Sequence, residues 1–121
     1  MVLNQGAPVA AAHGLSALAK TANALVGDAL HAFRTRDDAL ALEVRNRDAE
    51  LDAQYTGLFR ELLTYMAEDP RNITSCAHLL FMAKNIERIG DHATNIAENI
   101  WFIVHGDQPP GDREKRDTTA Q

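Results

Sequence analysis

Four side chains with acidic or amide oxygens lie close together in the segment ERIGDHATNIAEN, residues 87–99. Their spacing of four, four and three residues places them along one side of a helix; they are Glu87, Asp91, Asn95 and Glu98. Like charges one helical turn apart repel by a few tenths of a kcal/mol per pair. Oxygen donors at this spacing suit one hard or borderline divalent cation. The pattern is therefore open to three interpretations: a metal site, a cationic partner or a merely solvated surface.

A second acidic pair, Asp48 and Asp52, is four residues apart in the segment RNRDAELDAQ. Acidic pairs at this spacing are common on exposed helices, so Asp48 and Asp52 are the weaker candidates for metal ligands. The sequence lacks the Glu-x-x-His pattern of di-iron bundles, a Gly-rich phosphate loop and an HExxH motif. It also offers no set of nucleophile, base and orienting residue. We therefore predict no catalytic residues, and we interpret Cys76 as a small packed residue.

Three stretches with helical periodicity must position these side chains. The first begins near Gly14, where apolar residues start to recur every three or four positions, and fades at the charged run RTRDD. The second begins at Asp37 or Asp38, either of which can cap a helix, and continues to about Met66. Its middle is strongly polar, so its apolar stripe is thin there.

The third helix is predicted from about Pro70 to His105. Asp69 is a good N-cap and Pro70 suits the first helical position, while Gly106 suits the C-terminal cap. Alternation of period two, which would indicate strands, is absent from the sequence. Short connections between long helices favour antiparallel neighbours. We therefore predict an all-α fold, an elongated antiparallel three-helix bundle.

On a helical wheel of the third helix, the large apolar side chains lie nearly opposite Glu87. We expect the bundle to bury this apolar face and to leave the acidic stripe facing away from the core. His92 falls near the border of the apolar face, where a packed or hydrogen-bonding histidine is more common than a ligand. The apolar face comprises Met82, Ile86, Ile89, Ala93, Ile96, Ile100, Ile103 and Val104.

Composition restricts the partners and the compartment. The 121 residues contain 12 Lys and Arg against 17 Asp and Glu, a net charge of −5, which argues against nucleic acid as a partner. No run approaches the length of a membrane-spanning helix and no signal peptide is apparent, so we predict a cytoplasmic protein that does not span the membrane. Residues 1–13 are interpreted as a flexible leader or linker remnant, residues 14–106 as the bundle and residues 107–121 as a disordered charged tail.

The segment NIERIGDHATNIAENIWFIVHG, preceded by MAEDPRNITSCAHLLFMAKN, resembles the signature of the PhoU family, accessory proteins of bacterial high-affinity phosphate uptake. The second helix resembles a weaker family pattern, an acidic pair followed by spaced leucines, in DAELDAQYTGLFRELL. The resemblance covers about Leu15 to Gly106. The matching positions in the third helix are Glu87, Arg88, Gly90, Asp91, His92, Asn95, Ile96 and Glu98.

The resemblance implies a PhoU-like bundle that negatively regulates the Pst transporter and the PhoR–PhoB pathway through protein–protein contacts. Its implied partners are a PstB-like ABC transporter ATPase subunit and a PhoR-like sensor histidine kinase. It also implies a divalent metal, iron or zinc, bound through an acidic-x-x-x-Asp motif that corresponds here to Glu87 and Asp91. Further candidates are Asn95 and Glu98, with Asp48 and Asp52 weaker.

Members of the family typically carry two related bundles, whereas this chain holds one copy of the signature. We interpret it as one half, most similar to the C-terminal one, either as a single-bundle member or as part of a longer protein. A face that would pair with the other bundle favours a homo-oligomer. The alternative function is a carboxylate metal-binding bundle that acts as a metal store or metalloenzyme.

Overall fold

The computed structural model describes residues 7–111, among which no strand occurs. Three long helices follow one another, α1 (Ala7–Thr35), α2 (Asp38–Glu68) and α3 (Ile73–His105), with a 3-10 turn at Pro70–Asn72. Helices of 29 to 33 residues are roughly 44 to 50 Å long. The connections are short, so consecutive helices lie antiparallel. The predicted all-α, elongated three-helix bundle is confirmed.

The helix ends form where the capping residues predicted them. The Asp37 carboxylate accepts a hydrogen bond from the Leu40 amide at 3.0 Å and caps α2. Asp69 caps the 3-10 turn, in which Pro70 is the first residue, and α3 continues from that turn. Gly106 closes α3 with a φ of 81°, a left-handed conformation that glycine adopts without a Cβ clash.

The N-terminal helix is longer than the sequence pattern indicated. α1 begins at Ala7 rather than near Gly14, and Ala11 is already buried in the core. Pro8 lies in the first turn, where its missing N–H leaves no intrahelical bond unmade, and the alanines that follow it favour helix. Residues 1–6 of the expected leader lie outside the described residues.

The beginning of the expected disordered tail packs against the bundle. Pro109 is buried, and the Arg45 guanidinium of α2 donates hydrogen bonds to the Pro110 and Gly111 carbonyl oxygens at 3.1 and 2.7 Å. The expectation of disorder from residue 107 onward is therefore wrong up to Gly111. Residues 112–121 lie outside the part of the chain that the structure describes.

The face that α3 buries differs from the predicted one. Ile89, Ile96 and Ile103 are exposed, whereas Glu87 is fully buried with 0% exposure. A hydropathy wheel gives little weight to small residues, but small residues form the centre of the buried face. A Cβ on Gly90 would overlap the Leu51 side chain, so α2 and α3 approach each other closely there. The small buried residues of α3 include Ser75, Cys76, Ala83, Gly90, Ala93, Thr94 and Ala97.

This burial places two different flanks on α3. The flank next to α2 carries the acidic residues, and the flank next to α1 carries the exposed isoleucines. The large side chains of the core come mainly from the other two helices, with Leu18 and Leu25 in α1 and Leu51 and Leu62 in α2. Within residues 7–111, no helix has both the length and the apolarity required to cross a membrane.

Candidate metal centre

α2 places Asp48 and Asp52 one turn apart, and both side chains are fully buried. Leu51 and Tyr55 are buried beside them, so the same apolar packing that holds α2 in the bundle carries the two carboxylates inward. Buried aspartates are uncommon unless they are hydrogen-bonded, paired or bound to metal. The pair that the sequence ranked as weaker candidates is therefore at the centre of the site.

Asp91 approaches this pair from α3. One carboxylate oxygen each from Asp48, Asp52 and Asp91 lies within 4.8 Å of the other two. Asp91 is only half-buried, so the group has one side toward the surface. Gly90 precedes Asp91 and makes the close approach of the two helices possible, because a larger residue there would collide with Leu51.

Thr94, one turn after Gly90, supplies the buried hydroxyl at this site. Its Oγ1 lies 3.2 Å from Oδ1 of Asp48 and 3.1 Å from the Gly90 carbonyl oxygen. The hydroxyl has one proton to donate, so these two acceptors share it. The bond orients the Asp48 carboxylate within the group of three.

On either side of these three carboxylates, a basic side chain pairs with a further acid. The Arg45 Nε donates to Oε2 of Glu98 at 3.2 Å. The Lys84 ammonium lies 3.0 Å from Oε1 of Glu87 and 5.3 Å from the centroid of the Tyr55 ring. Lys84 is thus held both by a buried carboxylate and by an aromatic face. We call the five acids along this α2–α3 contact the carboxylate seam: Asp48, Asp52, Glu87, Asp91 and Glu98.

The structure therefore separates the predicted ligands into three groups. Asp91 joins Asp48 and Asp52, whereas Glu87 and Glu98 are ion-paired with Lys84 and Arg45. Asn95 is exposed. The expectation that the acidic stripe faces away from the core is wrong, since Glu87 is fully buried and Asp91 and Glu98 are partly so.

Three residues of the site were not predicted as such: Arg45, Lys84 and Thr94. Their spacing was visible in the sequence, because Arg45 precedes Asp48 by three residues and Lys84 precedes Glu87 by three. Thr94 follows Glu87 by seven residues and so falls on the same side of the helix. What the sequence did not reveal is that this side faces another helix rather than solvent.

The donor set fits a divalent cation. Three carboxylates from two helices offer only oxygen ligands, which hard or borderline cations prefer. A cation would supply positive charge where two buried acids lie next to each other, and its ligands would join α2 to α3. Cys76 takes no part, because it is buried in the core and burial raises the pKa of its thiol, as expected of a packing residue.

Comparison with protein families matches residues 15–100 to the PhoU domain. Among curated proteins, the chain is 54% identical over 120 residues to a phosphate-specific transport system accessory protein PhoU homolog of Xylella fastidiosa (strain 9a5c), which covers 99% of this chain and 51% of that protein. It is 56% identical over 119 residues to the protein of the same name from Rhizobium meliloti (strain 1021), covering 98% and 50%.

A more distant relative of the same name, from Caulobacter vibrioides (strain NA1000 / CB15N), is 45% identical over 122 residues, covering 100% of this chain and 53% of that protein. The chain therefore spans about half the length of the curated relatives it matches. No solved structure matches the chain. The matched residues 15–100 contain every acid of the carboxylate seam.

Proposed function

Because the chain belongs to the PhoU family, we propose that it is a non-enzymatic regulator of phosphate uptake and of phosphate-starvation signalling. The observation that carries the proposal is the match of residues 15–100 together with relatives named as accessory proteins of phosphate-specific transport. Acting in the cytoplasm, the chain would restrain a Pst-type transporter and a PhoR–PhoB-type pathway. Its partners would be the PstB-like ATPase subunit and the PhoR-like sensor kinase, contacted through its helical surfaces.

The proposal includes a divalent metal, iron or zinc, held by Asp48, Asp52 and Asp91. Their oxygens lie within 4.8 Å of one another, which supports a shared ligand. Glu87 and Glu98 lie on the same α2–α3 contact and are the next candidates, while Asn95 stays a prediction from the sequence alone. A bound divalent cation would offset two of the three negative charges of Asp48, Asp52 and Asp91 and stiffen the α2–α3 pair on which partner contacts depend.

The function is tested in a bacterium that lacks its own regulator of this family and expresses a phosphate-starvation reporter. Expression of residues 1–121 is expected to lower the reporter under phosphate sufficiency, because the regulator restrains the pathway. A strain that keeps full reporter activity despite folded, abundant chain would overturn the proposal for this chain. Capture of the ATPase subunit and of the kinase by the purified chain then identifies which partner it contacts.

The role of metal is tested by repeating the capture with Asp52→Asn and with chelator. We expect both to weaken capture, whereas Glu50→Gln, an exposed acid on the same helix, serves as the matched control. Capture that is equal in all four conditions would refute metal dependence and leave the regulatory proposal intact.

A metal store or metalloenzyme is the second candidate, and the burial of Asp48 and Asp52 is the observation in its favour. It requires redox-active metal bound in stoichiometric amounts. It also requires that metal-free protein keeps both partner binding and regulation. Elemental analysis after loading with Fe²⁺ or Zn²⁺ measures the bound metal. A chain that retains no metal after loading would eliminate this candidate.

A further inference from the structure

Lys84 on α3 places a positive charge next to a fully buried acid of the carboxylate seam. Its ammonium lies 3.0 Å from Oε1 of Glu87, whose side chain is 0% exposed, whereas the Lys84 side chain is 25% exposed. The Tyr55 ring of α2 lies 5.3 Å from the same ammonium and adds a cation–π contact. These two contacts therefore hold the ammonium where α2 and α3 meet.

The cavity beside Lys84 supplies no competing acid. Lys84 lines this cavity of about 340 Å³ together with Tyr55, Ala77, Leu80 and Phe81. None of these four side chains carries a carboxylate. The charge of the ammonium therefore acts mainly on the carboxylate seam.

The carboxylate seam contains more acids than basic partners. Its five carboxylates lie with two basic side chains, Arg45 and Lys84, so three formal negative charges remain. A cation at the three aspartates would therefore enter a field that Lys84 already weakens. Lys84 lies seven residues before Asp91, about 10 Å along the helix axis, where two charges still interact appreciably in a partly buried site.

Loss of the Lys84 charge would have two opposite consequences. The Glu87 carboxylate would stay buried without this ion pair, which lowers the stability of the metal-free chain. The same loss would make the seam more negative, so a cation would bind more tightly. A lysine that served only the packing of the bundle would produce the first consequence and not the second.

We propose that Lys84 is the resident counter-cation of the carboxylate seam, which stabilises the metal-free bundle and lowers its affinity for metal. The inference rests on the metal site of the proposed function. It adds to that site a residue that acts on a cation through charge, without being one of its ligands. The bundle can therefore stay folded whether or not a cation is bound.

The second basic residue of the seam, Arg45, has a further structural role. Its guanidinium also donates to the Pro110 and Gly111 carbonyl oxygens, so its replacement would release the C-terminal segment as well as remove a charge. Lys84 is therefore the position at which the effect of charge on metal binding can be measured separately.

The affinity of the 121-residue chain for Zn²⁺, measured by competition with a chromophoric chelator, tests the inference. Lys84→Met removes the charge but keeps a long side chain, and we expect it to bind Zn²⁺ about tenfold more tightly than the wild type. Glu87→Gln leaves the Lys84 charge uncompensated and is expected to bind about tenfold more weakly. The double variant restores the charge balance, so its affinity should return to within about threefold of the wild type.

Two control variants separate charge from packing. Lys84→Arg keeps the charge and should keep the Zn²⁺ affinity of the wild type. Lys20→Met removes an exposed lysine of α1 and should also leave the affinity unchanged. Urea denaturation in chelator gives the second readout, in which Lys84→Met is expected to unfold at a lower urea concentration than the wild type and Lys84→Arg is not.

Three results would overturn the inference: a folded Lys84→Met that binds Zn²⁺ no more tightly than the wild type, an equal gain in Lys20→Met, or a double variant as weak as Glu87→Gln, which would make Glu87 a ligand. If Lys84→Met alone unfolds, Glu87→Gln and the double variant decide, because neither has a carboxylate at position 87. A wild type that retains neither Zn²⁺ nor Fe²⁺ would overturn the inference together with the metal site. That result would leave the regulatory proposal, which the reporter strain tests, standing.

Discussion

Replacement of Asp52 by asparagine tests two effects of the carboxylate seam separately: the repulsion among its acids and its ability to bind metal. Asn has the size and shape of Asp but no charge, so the substitution leaves packing almost unchanged. Asp52 is fully buried, and its oxygens lie near those of Asp48 and Asp91. In chelator, we expect Asp52→Asn to increase the free energy of unfolding, because it relieves repulsion and removes a buried charge.

The distances between the carboxylate oxygens determine how much the free energy of unfolding should increase. Two ionised carboxylates at 4.8 Å repel by about 3.5 kcal/mol at an effective dielectric constant near 20, and by about 0.9 kcal/mol if solvent screens them fully. The buried Asp48 lies toward the first limit and the half-buried Asp91 toward the second. Lys84 and Arg45 lower the net effect. We therefore expect a gain in the free energy of unfolding of about 1 to 3 kcal/mol in chelator.

Urea denaturation followed by far-ultraviolet circular dichroism measures this free energy in chelator and again with Zn²⁺ or Fe²⁺ present. A cation that binds only the folded chain stabilises it by about 2.7 kcal/mol at 100 times its dissociation constant. Asn is a weaker ligand without charge, so the variant is expected to gain less from metal than the wild type. The difference in stability between the two proteins should therefore shrink or change sign when metal is added.

The prediction about repulsion and the prediction about metal binding can be refuted independently of each other. A variant less stable than the wild type in chelator would refute the view that repulsion dominates at Asp52. A wild type that is not stabilised by either metal would instead refute the metal site. Glu50→Gln controls for a general effect of removing one negative charge, because Glu50 is exposed on the same helix; it is expected to change stability only slightly.

Three further predictions concern packing, the thiol and the C-terminal segment. Gly90→Ala is expected to lower the free energy of unfolding by about 1 to 3 kcal/mol, because its methyl group would collide with Leu51; thermal denaturation measures the loss. Burial raises the pKa of the Cys76 thiol, so its alkylation at mildly alkaline pH should stay slow until denaturant unfolds the chain. Arg45→Met removes the hydrogen bonds to residues 110–111, so limited proteolysis should cut near them faster than in the wild type, and unchanged cleavage would refute this anchor.

The helices of this bundle were predictable because their signals are local. Asp37, Asp69 and Gly106 act within one turn of the chain, and the sequence placed all three at helix ends. The start of α1 was placed too late, since the alanine-rich segment after Pro8 has helix propensity but no large apolar residue to reveal a period.

The orientation of α3 was not predictable in the same way, because its burial is decided by residues that carry little hydropathy. Gly90, Ala97 and Thr94 are buried since they permit α3 to approach its neighbours closely, while the larger Ile89 and Ile96 are displaced to a flank. A wheel that weights large apolar residues therefore rotates the expected core toward that flank. For this reason the sequence predicted that the acids face solvent. It did not predict that three carboxylates from two helices lie together.

The small-residue face of α3 also explains how one helix can serve two surfaces. Since α3 is buried through its narrowest residues, the flank toward α2 can present Asp91 and the flank toward α1 can present Ile89. Both flanks depend on the same close contact at Gly90, where α2 and α3 meet. A bulkier residue at Gly90 should therefore weaken metal binding, because it would push α2 away from Asp91 on α3.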